Sequence, residues 1–148
     1  MLGAGNPWRG MVFGMVTRYG SDPSNKTEMW QLWDTFDLGN AEMIGWWHPE
    51  PVVVVRAHDD STSNCSEVYA TAFIHHGSRA MVAVGSWQHG PRTQNCTLLI
   101  DWSRVGFIAS SMEVPGVAGF QVATTIAVGA PIPIPPAKGM LLVLKAGV

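Results

Sequence analysis

Residues 67–102 read EVYATAFIHHGSRAMVAVGSWQHGPRTQNCTLLIDW, and this stretch decides the fold. Three runs rich in β-branched, aromatic and small apolar residues lie at 68–75, 80–87 and 97–102, and the connections between them contain Gly77 and Gly90. A connection this short cannot cross over to form a parallel pair, so consecutive runs are expected to be antiparallel neighbours. The stretch therefore predicts a three-stranded antiparallel meander.

The alternation of side chains indicates how this sheet is covered. In the first run the second face is mixed and not cleanly polar. In the middle run Val82 and Val84 oppose Met81, Ala83 and Trp87, so both faces are apolar. We therefore expect a strand that is covered on both sides and a sheet that lies inside a larger assembly.

Composition limits the class of protein. A chain of 148 residues suits one domain, or one domain with a fragment of another. Its net charge of −2 provides no electrostatic reason to expect nucleic acid or an anionic membrane as a partner. No run approaches the ~20 apolar residues of a membrane span. The first ten residues have neither the basic nor the apolar region of a signal peptide.

Three acceptor sequences for N-linked glycans begin at Asn25, Asn64 and Asn95, and the last two contain Cys65 and Cys96 as their middle residues. Such short motifs also arise by chance; the alternative is a secreted or lysosomal eukaryotic glycoprotein. In the predicted meander the first and third strands lie roughly 9–10 Å apart, which is too far for a direct bridge. A disulfide would require one cysteine to leave the sheet.

The first forty residues predict one strand followed by one helix. Residues 11–16 are continuously apolar, which is typical of a strand buried on both faces. Apolar residues then recur at helical spacing from Met29 to Phe36, and Gly39 is placed to end the helix as its C′ glycine. An isolated unit of this kind either packs against the rest of the chain or belongs to a sheet outside it.

The remainder predicts a mainly β domain. Strands are expected at 41–47, 52–55, 107–112, 120–128 and 140–145, with a polar loop at 56–64 and a turn or short helix at 101–106. The prolines of 131–136 exclude a central strand and favour an extended connection along an edge. Short strands at near-regular spacing indicate an antiparallel β-sandwich.

Four segments together carry a family resemblance: GMVFGMVTRYG, MWQLWDTFDLGNAEMIGWW, VYATAFIHHGSRAMVAVGSW with the following LLIDW, and PIPIPPAKGMLLVL. In this order they resemble the C-terminal end of large glycoside hydrolases of the family 123-like type, which carry a (β/α)8 catalytic barrel followed by a β-sandwich. The resemblance implies that residues 1–40 hold the last barrel strand and helix and that residues 41–148 form the sandwich. It also implies an adjacent acidic pair upstream, assisted by the substrate's 2-acetamido group. The chain has no such Asp-Glu pair, so the catalytic residues would be missing from it.

Thr17, Arg18 and Tyr19 are candidate substrate-binding residues, because they follow the predicted buried strand and the C-terminal ends of barrel strands carry active sites. Arg18 offers several donors to sugar hydroxyls or to a carboxylate. The structural alternative is that it pairs with a loop acid such as Asp22.

Trp46 and Trp47 are the second pair of candidates, because an indole provides an apolar plate for a sugar face. Adjacent residues of a strand point to opposite faces, so at most one of them would face a cleft. The alternative is core packing where the barrel end meets the sandwich.

Other polar motifs do not indicate chemistry. His75 and His76 fall in a predicted turn with no third ligand nearby, so we predict no metal site. Residues 59–60 are adjacent acids in a predicted polar loop, and Cys65 lacks the local His/Asp arrangement of a nucleophile. No phosphate-binding glycine loop is present, and we predict no cofactor.

Three functional hypotheses follow. In the first, the chain is the accessory C-terminal portion of a glycosidase, meets a carbohydrate substrate through a barrel outside it, and is inactive alone. In the second it is a free-standing carbohydrate- or protein-binding β-sandwich. In the third it is a purely structural module. The strand and helix predicted within 1–40 favour the first, because a self-contained sandwich does not need them.

Overall fold

The structure is a computed structural model, which describes residues 7–13, 23–117 and 120–147. Three α-helices are present in these ranges: α1 (Pro7–Val12), α2 (Pro23–Phe36) and α3 (Trp102–Val105). A short 3-10 helix, Leu38–Asn40, follows α2. None of the described helices has the length and apolar character needed to span a membrane.

Ten strands form two antiparallel sheets. In chain order they are β1 (Glu42–Ile44), β2 (Val53–Ala57), β3 (Asp60–Asn64), β4 (Val68–His75), β5 (Arg79–Ser86), β6 (Gln94–Ile100), β7 (Ser111–Val114), β8 (Thr124–Ala127), β9 (Ile132–Ile134) and β10 (Gly139–Lys145). The larger sheet has the order β1-β4-β5-β10-β7-β8, and the smaller sheet has the order β3-β2-β6-β9. This arrangement confirms the predicted mainly β, antiparallel sandwich.

The main core lies between the two sheets. It contains Val68 and Ile74 of β4, Val82 of β5, Val55 of β2 and Leu98 of β6, all of them buried. Strand alternation explains this set, because these residues occupy the inward-facing positions of their strands. The burial of such aliphatic side chains is the main stabilising term of the sandwich.

A second core covers the outer face of the larger sheet. Helices α1 and α2 bring Trp8, Met11 and Met29 against the outward-facing residues of the central strands, which include Met81 and Ala83. The middle run is therefore covered on both sides, as predicted, and its outer cover comes from helices of the same chain. The molecule thus has three layers: helices, larger sheet and smaller sheet.

The prediction that the third run pairs with the second in one meander is wrong. β4 and β5 pair from Val68↔Ser86 to His75↔Arg79, but β6 lies in the smaller sheet, between β2 and β9. The connection from β5 to β6 spans residues 87–93 and crosses from one sheet to the other. This crossing removes one cysteine from the larger sheet, which was the condition for a disulfide, and Cys65 and Cys96 are bonded across a Cα–Cα distance of 6.0 Å.

The N-terminal prediction is also corrected. The strand predicted at 11–16 is helical over Met11 and Val12, which end α1, and turns at Phe13; the other residues of that range lie outside the described part. The predicted helix is confirmed as α2, but it ends at Phe36. The left-handed residue after it is Asp37, with φ 61°, so Gly39 is not the C′ residue. The division into 1–40 and 41–148 stays a prediction.

Smaller differences concern loops and edges. The predicted polar loop at 56–64 is a hairpin, because β2 extends to Ala57 and β3 begins at Asp60. The strand predicted at 41–47 covers only Glu42–Ile44. The short helix predicted within 101–106 is confirmed as α3. The proline-rich segment contributes β9, which lies at the edge of the smaller sheet, where a proline need not donate to a ladder.

Candidate functional site

Trp46 and Trp47 lie in a turn that follows β1 and not within a strand. The turn is closed by a 3.0 Å hydrogen bond from the N–H of His48 to the carbonyl oxygen of Gly45. A Cβ at Gly45 would lie 2.5 Å from the indole ring of Trp47, so the ring can occupy this position only because residue 45 is glycine. The rule that adjacent strand residues face opposite sides therefore does not apply, and both indoles lie in one cluster.

This cluster, which we term the aromatic patch, consists of Phe13, Trp46, Trp47, Tyr69 and Trp87. Trp46 stacks on Tyr69 with ring centroids 4.3 Å apart, and Trp47 stacks on Phe13 with centroids 5.4 Å apart. Trp87 contacts both Trp46 and Tyr69 edge-on or tilted. Aromatic pairs at these separations stabilise one another beyond the area they bury.

The patch belongs to the outer face of the larger sheet, beside α1. Tyr69 occupies an outward position of β4, because Val68 and Ala70 on either side of it are in the main core. Arg9 of α1 places its guanidinium 5.5 Å from the ring centroid of Trp87, which is a cation–π distance. The patch is therefore continuous with the part of the sheet surface on which α1 packs.

Two members of the patch are unusually open to solvent. The side chain of Trp47 is 53% exposed and that of Phe13 is 42% exposed, although their rings stack on each other. The two stacked rings form one continuous exposed apolar surface, a feature that larger interaction sites share. The other three members are partly buried.

Two open depressions border the patch. The first is a groove of about 560 Å³ between the strand edges of Val53 and Tyr69, and Trp46 lines it. The second is a cleft of about 560 Å³ beside Phe13, and it is lined by Trp33 and by the exposed acids Asp34 and Asp37. An indole together with carboxylate acceptors is the set of groups that binds a polar ring with apolar faces, such as a sugar.

The remaining predicted site residues are not part of this cluster. Thr17, Arg18 and Tyr19 lie outside the described residues, as does the side chain of Asn25. Asn64 and Asn95 are exposed, and each directly precedes a cysteine of the disulfide.

His75, His76 and Asp60 have structural partners. His75 ends β4, and its Nε2 lies 2.9 Å from the carbonyl oxygen of Phe36, the last residue of α2. His76 pairs with the carboxylate of Glu42. Asp60 accepts a 2.8 Å hydrogen bond from the hydroxyl of Ser63. Across the ranges that the structure describes, no group of three His, Cys, Asp or Glu side chains could hold a metal ion.

Tyr69, Trp87 and Phe13 are the members of the patch that were not singled out from the sequence. Tyr69 and Trp87 share the outward face of the predicted β4–β5 hairpin, so face assignment alone could have paired them. Phe13 had no such signal, because the residues around it were predicted to be a strand.

Comparison with known families decides the affiliation. Residues 25–145 match the family described as "Glycoside hydrolase 123, C-terminal domain". This chain belongs to that family. The GH123 C-terminal domain match begins within α2 and ends with β10, so it includes both sheets and most of α2, whereas α1 lies outside it. The chain has no significant match to a curated protein or to a solved structure.

Proposed function

We propose that this chain is an accessory domain of a glycoside hydrolase and that it braces a catalytic (β/α)8 barrel through the aromatic patch. The observation that carries the proposal is the exposed Phe13–Trp47 stack on a member of the GH123 C-terminal domain family. A catalytic acidic pair is not part of this role, so the isolated chain should not hydrolyse aryl N-acetylhexosaminides.

The position of the stack supports the barrel as its partner. Residues 7–13 precede the family match, and they already pack on the outer face of the larger sheet. The exposed ring of Phe13 directly follows α1, so the patch lies beside the segment through which a preceding domain of a longer protein would be joined to the sandwich. Trp and Phe are enriched in such interfaces, where one buried aromatic anchor supplies much of the binding energy.

The test begins with the reading frame upstream of Met1. The proposal expects it to encode further strand–helix repeats with an acidic pair at a strand end. In that complete gene product, Trp47→Ser should lower the melting temperature of the catalytic region and increase proteolytic cleavage between the two parts. Ile108→Ser is the matched control, because Ile108 is 74% exposed and lies outside the patch.

Two outcomes would contradict the proposal. One is a frame that contains no catalytic domain upstream. The other is a Trp47→Ser protein that melts and is cleaved in the same way as the Ile108→Ser protein, since the exposed indole would then have no partner within the enzyme.

A second candidate function is carbohydrate binding by the free domain, and the cleft formed by Trp33, Asp34 and Asp37 favours it. A sugar stacked on Trp33 would quench tryptophan fluorescence, and Asp34→Asn would weaken that response because a carboxylate is the stronger acceptor of hydroxyl hydrogen bonds. A lack of quenching by a broad panel of glycans would count against this function and leave the bracing role unaffected.

A further inference from the structure

Two acceptor sequences for N-linked glycans are joined by the disulfide. Cys65 is the middle residue of the sequon 64–66 and Cys96 is the middle residue of the sequon 95–97. We infer that Asn64 and Asn95 are N-glycan acceptors and that glycan addition to them precedes closure of the Cys65–Cys96 bridge. This inference does not depend on the proposed bracing role.

Both asparagines have the exposure that a glycan requires. In β6 the side chains of Cys96 and Leu98 point into the core, so Asn95, with the opposite strand parity, is exposed on the outer face of the smaller sheet. Asn64 is exposed at the end of β3. Its Oδ1 accepts a 2.8 Å hydrogen bond from Nη1 of Arg56, which leaves the amide nitrogen, the atom that carries an N-glycan, directed away from this contact.

The disulfide is an independent observation that points to the same compartment. Disulfides persist in oxidising environments such as the secretory pathway, and N-linked glycans are added to Asn-X-Ser/Thr in that pathway. Both cysteines are buried in the main core, so the bridge is part of the folded interior of the sandwich.

The folded structure explains why the order of the two modifications matters. Asn64 is paired with Arg56 of β2, and Asn95 is paired with Pro133 of β9. The hydroxyl of Thr97, which completes the second sequon, is 2.9 Å from Nδ1 of His58. Once the bridge and these pairings have formed, the backbone and hydroxyl that define a sequon are no longer free to enter a transferase.

The glycan donor is a lipid-pyrophosphate-linked oligosaccharide. The amide nitrogen of asparagine attacks C1 of the first sugar and forms the new N–C bond. The bond from C1 to the pyrophosphate oxygen breaks, the lipid pyrophosphate leaves, and the amide nitrogen loses one proton. The bridge forms separately, when two thiols lose two protons and two electrons to an oxidising disulfide of the secretory pathway.

The test uses the full chain behind a cleavable secretion signal, translated with microsomes from the endoplasmic reticulum. Asn25→Gln is present throughout, so that the two sequons in question are counted alone. Glycans are counted as the mass lost on digestion with a glycan-removing amidase. We expect two glycans on this chain and one each on Asn64→Gln and Asn95→Gln. A chain with no glycan, or with one, overturns the inference, and the readout does not require folding.

A second experiment tests whether closure of the bridge competes with glycan addition. In each single cysteine variant, glycan occupancy is measured at the sequon that does not contain the substituted cysteine, because the sequence of that sequon is unchanged. Added glutathione disulfide should lower occupancy at both asparagines in the parent chain, because the bridge then closes earlier. It should leave Asn64 unaffected in Cys96→Ser and Asn95 unaffected in Cys65→Ser. If oxidant leaves occupancy in the parent unchanged, or lowers it equally in the variants, the proposed order is wrong.

Discussion

The buried hydroxyl of Thr71 donates a 2.6 Å hydrogen bond to the carbonyl oxygen of Val12, the last residue of α1. The hydroxyl oxygen of Thr71 in turn accepts a 3.3 Å hydrogen bond from the N–H of Trp46. One side chain of β4 therefore holds both the end of the helix and the turn that presents the aromatic patch. The carbonyl of Val12 is among those that a helix leaves without an intrahelical partner, and Thr71 satisfies it.

Replacement of Thr71 by valine should reduce the free energy of unfolding by about 2 kcal/mol, because it leaves a buried acceptor and a partly buried donor unpaired at nearly constant volume. Thr71→Ser keeps the hydroxyl and loses one methyl group, at a cost of about 1 kcal/mol. Urea denaturation of the two variants checks this order. A valine variant at least as stable as the serine variant would contradict this order.

The sequence identified the β4–β5 hairpin correctly because the information is local. Alternating apolar residues define the two strands, and the residues around Gly77 are too few to allow anything other than an antiparallel return. The sheet to which β6 belongs is not encoded locally. Its alternation would satisfy either sheet, and only the packing of the complete chain places it beside β2.

The candidate site was predicted in part, for a similar reason. Trp46 and Trp47 stand out as an exceptional dipeptide, but their geometry depends on the turn that begins at Gly45, which was predicted to be a strand. Their partners Phe13 and Trp87 come from a helix end and from the residue after β5. No pattern within either segment indicates that they meet.

Loss of the Cys65–Cys96 bridge should reduce the free energy of unfolding by about 3.7 kcal/mol. This value follows from the loop-closure entropy of a cross-link between residues 31 positions apart. The measurement is urea denaturation with and without a reductant. The control is the double variant Cys65→Ala/Cys96→Ala, which a reductant should not affect. Equal midpoints for the wild-type protein in both conditions would contradict the expectation.

Gly139→Ala should destabilise the larger sheet strongly. Gly139 pairs with Gly85, and a Cβ at Gly139 would overlap the carbonyl oxygen of Val84. Backbone cannot yield as a flexible side chain can, so we expect a loss of about 3 kcal/mol, at the upper end for overpacking. Gly90→Ala is the control, because no atom lies within 4 Å of its added Cβ. Similar melting temperatures for the two variants would show that residue 139 does not lie so close to the carbonyl oxygen of Val84.

Asp101, which precedes α3, should make the stability of the fold depend on pH in the acid range. The hydroxyl of Ser103 donates a 2.6 Å hydrogen bond to its carboxylate and, with smaller contributions from Arg104, lowers the pKa of Asp101 below its ordinary value of 3.8. Because folding favours the ionised form, this contribution is present above pH 3.8 and is lost as pH falls through the lower folded pKa. In an NMR titration of the carboxyl carbon, Ser103→Ala should raise the midpoint toward 3.8, whereas Ser110→Ala should leave it unchanged. A midpoint that does not move in Ser103→Ala would show that another group sets the pKa of Asp101.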